Sequence, residues 1–198
     1  MVVCYKKKCI FIHIPKTAGT SIEQFLIDNG KNSLDFKGVK NGRSMHHYTA
    51  HDLKREIPYI FNILYKFSIV RNPYDRLLSE YYWTPIRNVG YKSGKTKVEF
   101  LNYVSDVIHK NQYYENIYND HFMPQYMFLY DKKLLIDHVF KYEDLDWVIN
   151  FLKKKLNIES DLPLLNRTKI KKDNWNERQK ERIYKLYKND FVLFNYEK

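Results

Sequence analysis

The chain has 198 residues, a length that favours a single domain over residues 1–198, and its net charge of +11 favours anionic partners such as a nucleotide, a nucleic acid or an acidic glycan. Cysteine occurs only at positions 4 and 9, and no spacing of cysteine and histidine matches a zinc site, so we expect neither a disulfide framework nor a structural metal. Neither a signal peptide nor an apolar run of about eighteen residues is evident, which predicts a cytoplasmic protein without a membrane span.

The first predicted elements are an apolar strand, a short polar loop and a helix that ends near Gly30. Residues 10–14 are almost continuously apolar, as in a strand buried on both faces of a parallel sheet. The loop that follows contains Lys16 and hydroxyl side chains. Thr20 and Glu23 have the spacing of a capping box, so the backbone N–H groups of the first helical turn should face an anion. The pattern predicts a phosphate-binding loop.

The loop differs from the Walker A loop of ATP-binding proteins. In that loop the lysine follows the second of two glycines, whereas here Lys16 precedes Gly19, which is the single glycine of the segment. A carboxylate placed after a strand to bind Mg²⁺ is not evident either. An ATP-dependent kinase is therefore the weaker alternative.

The next region carries a cluster of histidines. Residues 31–44 are predicted to form a loop with at most one short strand, and three histidines follow within six residues, with His51 on a short helix that Pro58 closes. His13, inside the first strand, is expected to be buried against a backbone partner. Residues 65–70 predict a second central strand.

A second candidate anion site follows that strand. Asn72 suits the N-cap of a helix and Pro73 its first position, so Arg71 must lie at the carboxyl end of the strand. Ligands of open α/β sheets bind at this edge. Arg76 and Ser79 are expected on the polar side of the helix, away from its apolar face.

The rest of the chain continues the alternation of strands and helices. Apolar spacing predicts helices over residues 99–109, 144–156 and about 175–189, and a third strand over residues 137–142. This alternation predicts an α/β fold of three layers, in which helices flank a largely parallel central sheet as in P-loop-like domains.

Two segments resemble known motifs. The sequence P-K-T-A-G-T-S at residues 15–21 resembles the 5′-phosphosulfate-binding loop of sulfotransferases, in the form found in carbohydrate sulfotransferases of the heparan 2-O and chondroitin type. Residues 68–82 resemble the 3′-phosphate-binding motif of the same enzymes, in which an arginine ends the strand and a serine lies about two turns into the helix. Likeness at residues 121–125 and 162–168 extends the resemblance over nearly the whole chain. Animal members usually carry a membrane anchor, so this chain is more similar to soluble bacterial members.

The resemblance implies a donor and a donor site. The donor would be 3′-phosphoadenosine 5′-phosphosulfate (PAPS), with a carbohydrate hydroxyl as acceptor and no metal. Lys16 would stabilise the leaving phosphate and the sulfuryl oxygens, while Arg71 and Ser79 would bind the 3′-phosphate, aided by Arg167 or Lys169. The remaining loop residues would supply backbone N–H groups and hydroxyls, namely Thr17, Ala18, Gly19, Thr20 and Ser21.

A base should accept the proton of the acceptor hydroxyl, and histidine has a suitable pKa. Soluble relatives carry a histidine in an H-x-T-A pattern ahead of the 3′-phosphate strand, and the match to residues 47–50 makes His47 the predicted base. His46 and His51 are the alternatives. Some sulfotransferases use glutamate, which keeps Glu23 as a further candidate.

The alternative function from another class is a basic module that binds nucleotides or nucleic acid without transfer chemistry. Such a module would lose affinity steeply with salt, whereas a transferase would require the 3′-phosphate of its donor. We expect a nucleotide donor and a glycan as partners, and no nucleic acid. A tyrosine or a small metabolite is another possible acceptor.

Overall fold

The structure is a computed structural model that describes residues 1–30, 33–40, 43–87, 96–115, 118–163 and 174–198, with the side chains of 35, 43 and 84–87 left out. Its strands are β1 (Val2–Cys4), β2 (Cys9–Ile12), β3 (Leu34–Asp35), β4 (Val39–Lys40), β5 (Arg43–Ser44), β6 (Tyr65–Val70), β7 (Tyr130–Asp131), β8 (Lys133–Leu134) and β9 (His138–Lys141). Its helices are α1 (Gly19–Asn29), α2 (Ala50–Glu56), α3 (Pro58–Ile63), α4 (Pro73–Arg87), α5 (Lys97–His109), α6 (Tyr126–Leu129), α7 (Leu145–Leu156), α8 (Glu177–Leu186) and α9 (Lys188–Leu193).

The described residues form two compact units. The first comprises residues 1–71 and 127–163, and the second comprises residues 72–126 and 174–198. The first unit contains the sheet, while the second is helical in its regular elements.

The first unit is built on a mixed sheet with the strand order β3-β1-β2-β6-β9. The three strands β2, β6 and β9 run parallel, with Ile12 beside Ser68 and Ser68 beside Val139. Strand β1 pairs antiparallel with both β2 and β3, so that β3 forms one edge of the sheet. The predicted α/β class and the three parallel strands are confirmed. The antiparallel edge was not predicted, because β1 and β3 are only three and two residues long.

Both faces of the central strands are buried. Phe11, Phe67 and Phe140 pack in one apolar cluster with residues of α1 and α7, including Phe25 and Leu152. Alternate residues of β2 point to the other face, and there Ile10 and Ile12 are also fully buried. This burial explains why the strand sequence is continuously apolar, and it leaves the carboxyl ends of the strands as the place for polar chemistry.

The second unit packs helices around an aromatic core. Phe100 of α5 stacks on Trp175 with a centroid distance of 6.4 Å, and the Trp175 indole donates a hydrogen bond to the Tyr74 carbonyl at 2.9 Å. Ile183 of α8 is fully buried, and Tyr187 donates from its buried hydroxyl to the Phe122 carbonyl at 2.8 Å.

Two helix boundaries differ from the sequence-based prediction. Helix α5 begins at Lys97, two residues early, because Thr96 and Glu99 form a complete capping box. The last predicted helix is two helices, α8 and α9, which are separated at Tyr187 with φ of −115° and ψ of 22°. The helical spacing of apolar residues continues through Tyr187, so the sequence gives no sign that one helix ends there and another begins.

Across the described residues, each helix is too short or too polar to cross a membrane.

Candidate functional site

The loop between β2 and α1 lies at the carboxyl end of the parallel strands. It begins after Ile12, whose carbonyl accepts a 2.8 Å hydrogen bond from the Ser68 hydroxyl of the neighbouring strand. Lys16 and Ala18 adopt left-handed backbone conformations with φ of 70° and 66°. Left-handed residues in such a loop turn successive N–H groups toward one side, an arrangement that favours anion binding.

Helix α1 begins from this loop without a side-chain cap. Its N-cap is Ala18, which makes no side-chain capping hydrogen bond, and no acidic residue lies in the first turn. The predicted capping box of Thr20 and Glu23 is therefore wrong. Thr20 is exposed in the first turn, and Glu23 is buried elsewhere. Because the positive end of the helix dipole is uncapped, an anion can occupy it.

The remaining loop residues stabilise the loop itself. Thr17 is fully buried, and its hydroxyl donates to the Ile14 carbonyl at 2.8 Å. The backbone N–H of Ser21 donates to the Ala18 carbonyl at 3.0 Å. The Ser21 N–H is therefore bonded within the first helical turn. Gly19 packs so closely that a Cβ at its position would overlap the His13 ring.

Arg71 reaches the same loop from the next strand. It follows β6 directly, and its Nη1 lies 3.4 Å from the carbonyl oxygen of Lys16. Its guanidinium carbon lies 4.3 Å from the centre of the Tyr142 ring, so the side chain stacks on that ring. The structure thus brings the Arg71 guanidinium to the backbone of Lys16, beside the N-terminus of α1 at one edge of the sheet.

A histidine cluster lies beside the loop. His13 follows β2, and His46 and His47 lie in a 3₁₀ turn, Met45–His47. The ring centre of His13 is 4.5 Å from that of His46 and 5.2 Å from that of His47. His51 is exposed on α2, a helix capped by Thr49. The placement brings His46 and His47 to the end of β2.

Glu23 is the partner that the sequence analysis missed for this cluster. His13 is buried as predicted, and its Nδ1 lies 2.9 Å from the Glu23 carboxylate. The same carboxylate lies 2.9 Å from Nε2 of His46 and also pairs with the N-terminal amino group of Met1. Glu23 lies on the buried face of α1 between apolar residues, and this position was the signal for a buried partner.

A family model described as the sulfotransferase family matches residues 1–197 of the chain. The chain belongs to the sulfotransferase family. Searches of curated proteins and of solved structures found no significant match. Membership implies a transferase that moves a sulfuryl group from a nucleotide donor to a hydroxyl acceptor. The fold of the first unit is consistent with this family.

Three other predicted donor-site residues of this sulfotransferase lie away from the loop in sequence. Ser79 is on α4 in the second unit and is 4% exposed. Arg167 and Lys169 lie outside the described residues. Their predicted contacts with the donor remain predictions.

Arg76 does not lie on an exposed polar face of α4, contrary to the prediction. It is 2% exposed, its Nη2 donates to the Met123 carbonyl at 2.8 Å, and its guanidinium lies 5.5 Å from the ring centre of Tyr187. The helix is therefore buried over a wider arc than its apolar spacing indicates. Arg76 has a structural position within the second unit.

Proposed function

We propose that this sulfotransferase transfers the sulfuryl group of PAPS to a carbohydrate hydroxyl by in-line displacement, with Lys16 and the α1 loop at the leaving phosphate and His47 as general base. The observation that carries the proposal is the meeting of Arg71 with Lys16 at the carboxyl edge of the sheet. The two positions match the 5′-phosphosulfate and 3′-phosphate motifs, and their proximity suits one doubly phosphorylated nucleotide.

In the reaction, the acceptor oxygen forms a bond to sulfur while the bond from sulfur to the 5′-phosphate oxygen breaks. Lys16 and the N–H groups of the loop stabilise the negative charge that develops on the leaving phosphate, and 3′-phosphoadenosine 5′-phosphate (PAP) departs. Arg71 holds the 3′-phosphate and thereby fixes the donor in line. Ser79 is proposed to assist there on the strength of the sequence motif.

His47 accepts the proton of the acceptor hydroxyl as the new bond forms. Its position in the Met45–His47 turn, packed against His13, supports a fixed ring orientation. His46 is the alternative base and is the more exposed of the pair, with 29% of its side chain accessible. His51 is exposed on α2, so its ring has no comparable support.

The acceptor class rests on the resemblance to carbohydrate sulfotransferases and on the charge of +11, which favours an acidic glycan. The test is transfer of radiolabelled sulfur from PAPS to a panel of polysaccharides that contains uronic acids, with neutral glucans and tyrosine peptides for comparison. We expect label on a glycan with the wild-type protein and almost none with Lys16→Ala. Label on the peptides alone would contradict the carbohydrate proposal.

A further inference from the structure

Three imidazole rings and one carboxylate meet in the first unit. His13 lies at the end of β2, and His46 and His47 are adjacent in the 3₁₀ turn. One nitrogen from each of the three histidines lies within 4.8 Å of the others. His13 is 33 residues from His46, so the sequence shows no metal-binding spacing and the fold alone assembles the set.

The hydrogen bonds in this cluster conflict with one another. Nδ1 of His13 lies 2.9 Å from Oε1 of Glu23 and 2.7 Å from Nε2 of His46, which lies 2.9 Å from Oε2 of the same carboxylate. An ionised carboxylate only accepts hydrogen bonds, so both nitrogens need a proton to bond to it. Two N–H groups then face each other across 2.7 Å.

Removal of one proton does not resolve the conflict. The deprotonated nitrogen would then direct its lone pair at a carboxylate oxygen, and two acceptors would face each other. A cation held by the two nitrogens lets both lone pairs and the carboxylate face positive charge at once.

We propose that His13, His46 and His47 bind a divalent transition-metal ion, with Zn²⁺ as the expected occupant and Glu23 as the adjacent negative charge. Neutral imidazole is a preferred ligand of Zn²⁺, and three histidines leave a fourth position open. Tetrahedral Zn²⁺ with bonds of 2.0–2.1 Å places two nitrogens about 3.3 Å apart, so His13 and His46 need to separate by only about 0.6 Å.

The surroundings fix one ligand and leave another accessible. The His13 ring packs against Gly19 and stacks near Phe11 with a centroid distance of 6.0 Å, so its Nδ1 is held toward the cluster. The side chain of His46 is 29% exposed, which gives an ion a route from solvent. A rigid ligand with an accessible partner is a favourable arrangement for reversible metal binding.

The metal site would also act on the proposed reaction. A histidine coordinates Zn²⁺ through the nitrogen that carries no proton, and that nitrogen can then accept none. The metal would therefore block His47 as a base. This consequence rests on the proposed function, whereas metal binding itself does not. We therefore expect Zn²⁺ to inhibit sulfuryl transfer and a chelator to restore it.

The test measures Zn²⁺ binding without donor or acceptor, by competition with a chromophoric chelator, and records the visible absorption of the Co²⁺-substituted protein. We expect one Zn²⁺ per chain and the intense absorption of tetrahedral Co²⁺. The variant His46→Ala should bind Zn²⁺ about 100-fold more weakly or worse. His51→Ala is the matched control, since it removes an exposed histidine outside the cluster, and it should bind as the wild type does.

Equal Zn²⁺ affinity in His46→Ala and the wild type would overturn the metal site, as would the absence of stoichiometric binding in the wild type. Circular dichroism verifies folding, and His46→Gln replaces the alanine variant if that variant unfolds. Stoichiometric binding without inhibition of transfer would leave the metal site standing and contradict His47 as the base. The two failures are thus distinguishable.

Discussion

At the scale of single residues, the proposed site depends on the positions of Lys16, Arg71 and His47. The left-handed conformation of Lys16 directs its carbonyl toward Arg71. The sequence pattern can place Lys16 in the loop after one strand and Arg71 at the end of another. It can do so because the ends of strands and the starts of helices have recognisable sequence signals. The sequence could not show that Glu23 contacts two histidines, because these contacts are made only when the chain folds.

Lys16→Ala should lower the turnover number of sulfuryl transfer by about 10²–10³, because it removes a charge placed where negative charge develops in the transition state. The measurement is the initial rate of PAP formation at saturating donor. Lys180→Ala is the matched control, since this lysine lies half-buried on α8 and pairs with the exposed carboxylate of Glu177. A Lys16→Ala rate within twofold of the wild-type rate would contradict the role of Lys16.

His47→Ala should lower the rate of transfer by about 10²–10⁴, the range expected for loss of a general base, and should leave PAP affinity nearly unchanged. The rate and the dissociation constant are measured on the same preparation. His51→Ala provides the comparison. A large loss of rate in His51→Ala with a normal rate in His47→Ala would move the base to α2.

At the scale of elements, the strand, loop and helix at residues 9–29 form one functional piece. The sequence predicted this succession, because burial makes the strand apolar and the helix amphipathic. The sequence-based prediction misplaced the N-cap of α1. Thr20 and Glu23 fit the capping pattern, but Glu23 is buried in contact with His13 instead. The same effect misplaced Arg76, whose charge suggested exposure.

Gly19→Ala should destabilise the fold by about 1–3 kcal/mol, because the added Cβ would overlap the His13 ring in a closely packed region. Urea unfolding at equilibrium gives the free-energy change. Thr20→Ala, at the next and exposed position, should change the free energy of unfolding by less than about 0.5 kcal/mol. Equal stability of the two variants would show that the loop repacks around a side chain.

Asp190 connects α9 to the segment before α6. Its carboxylate accepts hydrogen bonds from the backbone N–H groups of Gln125 and Tyr126 at 2.8 and 2.9 Å. Burial raises the pKa of Asp190, and the Arg76 charge opposes that rise. Asp190→Ala should destabilise the protein by about 3 kcal/mol or more, because two backbone N–H groups lose their acceptor and the buried Arg76 cation loses a neighbouring negative charge.

The comparison for Asp190→Ala is Asp75→Ala, an exposed carboxylate in the first turn of α4. Chemical denaturation of both variants gives the two free-energy changes. A loss below about 1 kcal/mol for Asp190→Ala would show that water replaces the carboxylate at no great cost.

At the scale of the whole molecule, the sequence predicted the fold class but not the division of the chain into compact units. The alternation of apolar strands and amphipathic helices follows from burial, because each element of a layered fold must cover its apolar face. The two compact units were not predicted, because their chain segments are interleaved and no linker marks the passage between them. The histidine cluster was not predicted for a similar reason, since His13 and Glu23 lie far in sequence from His46 and His47.

The charge of +11 bears on the whole surface as well. A general attraction for anions would be screened by salt, whereas the proposed donor site of Arg71 and the α1 loop would select a particular phosphate pattern. The central claim is therefore that binding requires the 3′-phosphate.

The most direct measurement is a calorimetric titration with PAP, with adenosine 5′-phosphate and with ATP plus Mg²⁺, at physiological salt. We expect PAP to bind most tightly, and we expect Arg71→Ala to weaken PAP binding by about 10-fold to 150-fold with little effect on adenosine 5′-phosphate. Arg55→Ala, an exposed arginine on α2, should bind PAP normally. A preference for ATP, or equal affinity for PAP and adenosine 5′-phosphate, would contradict the account.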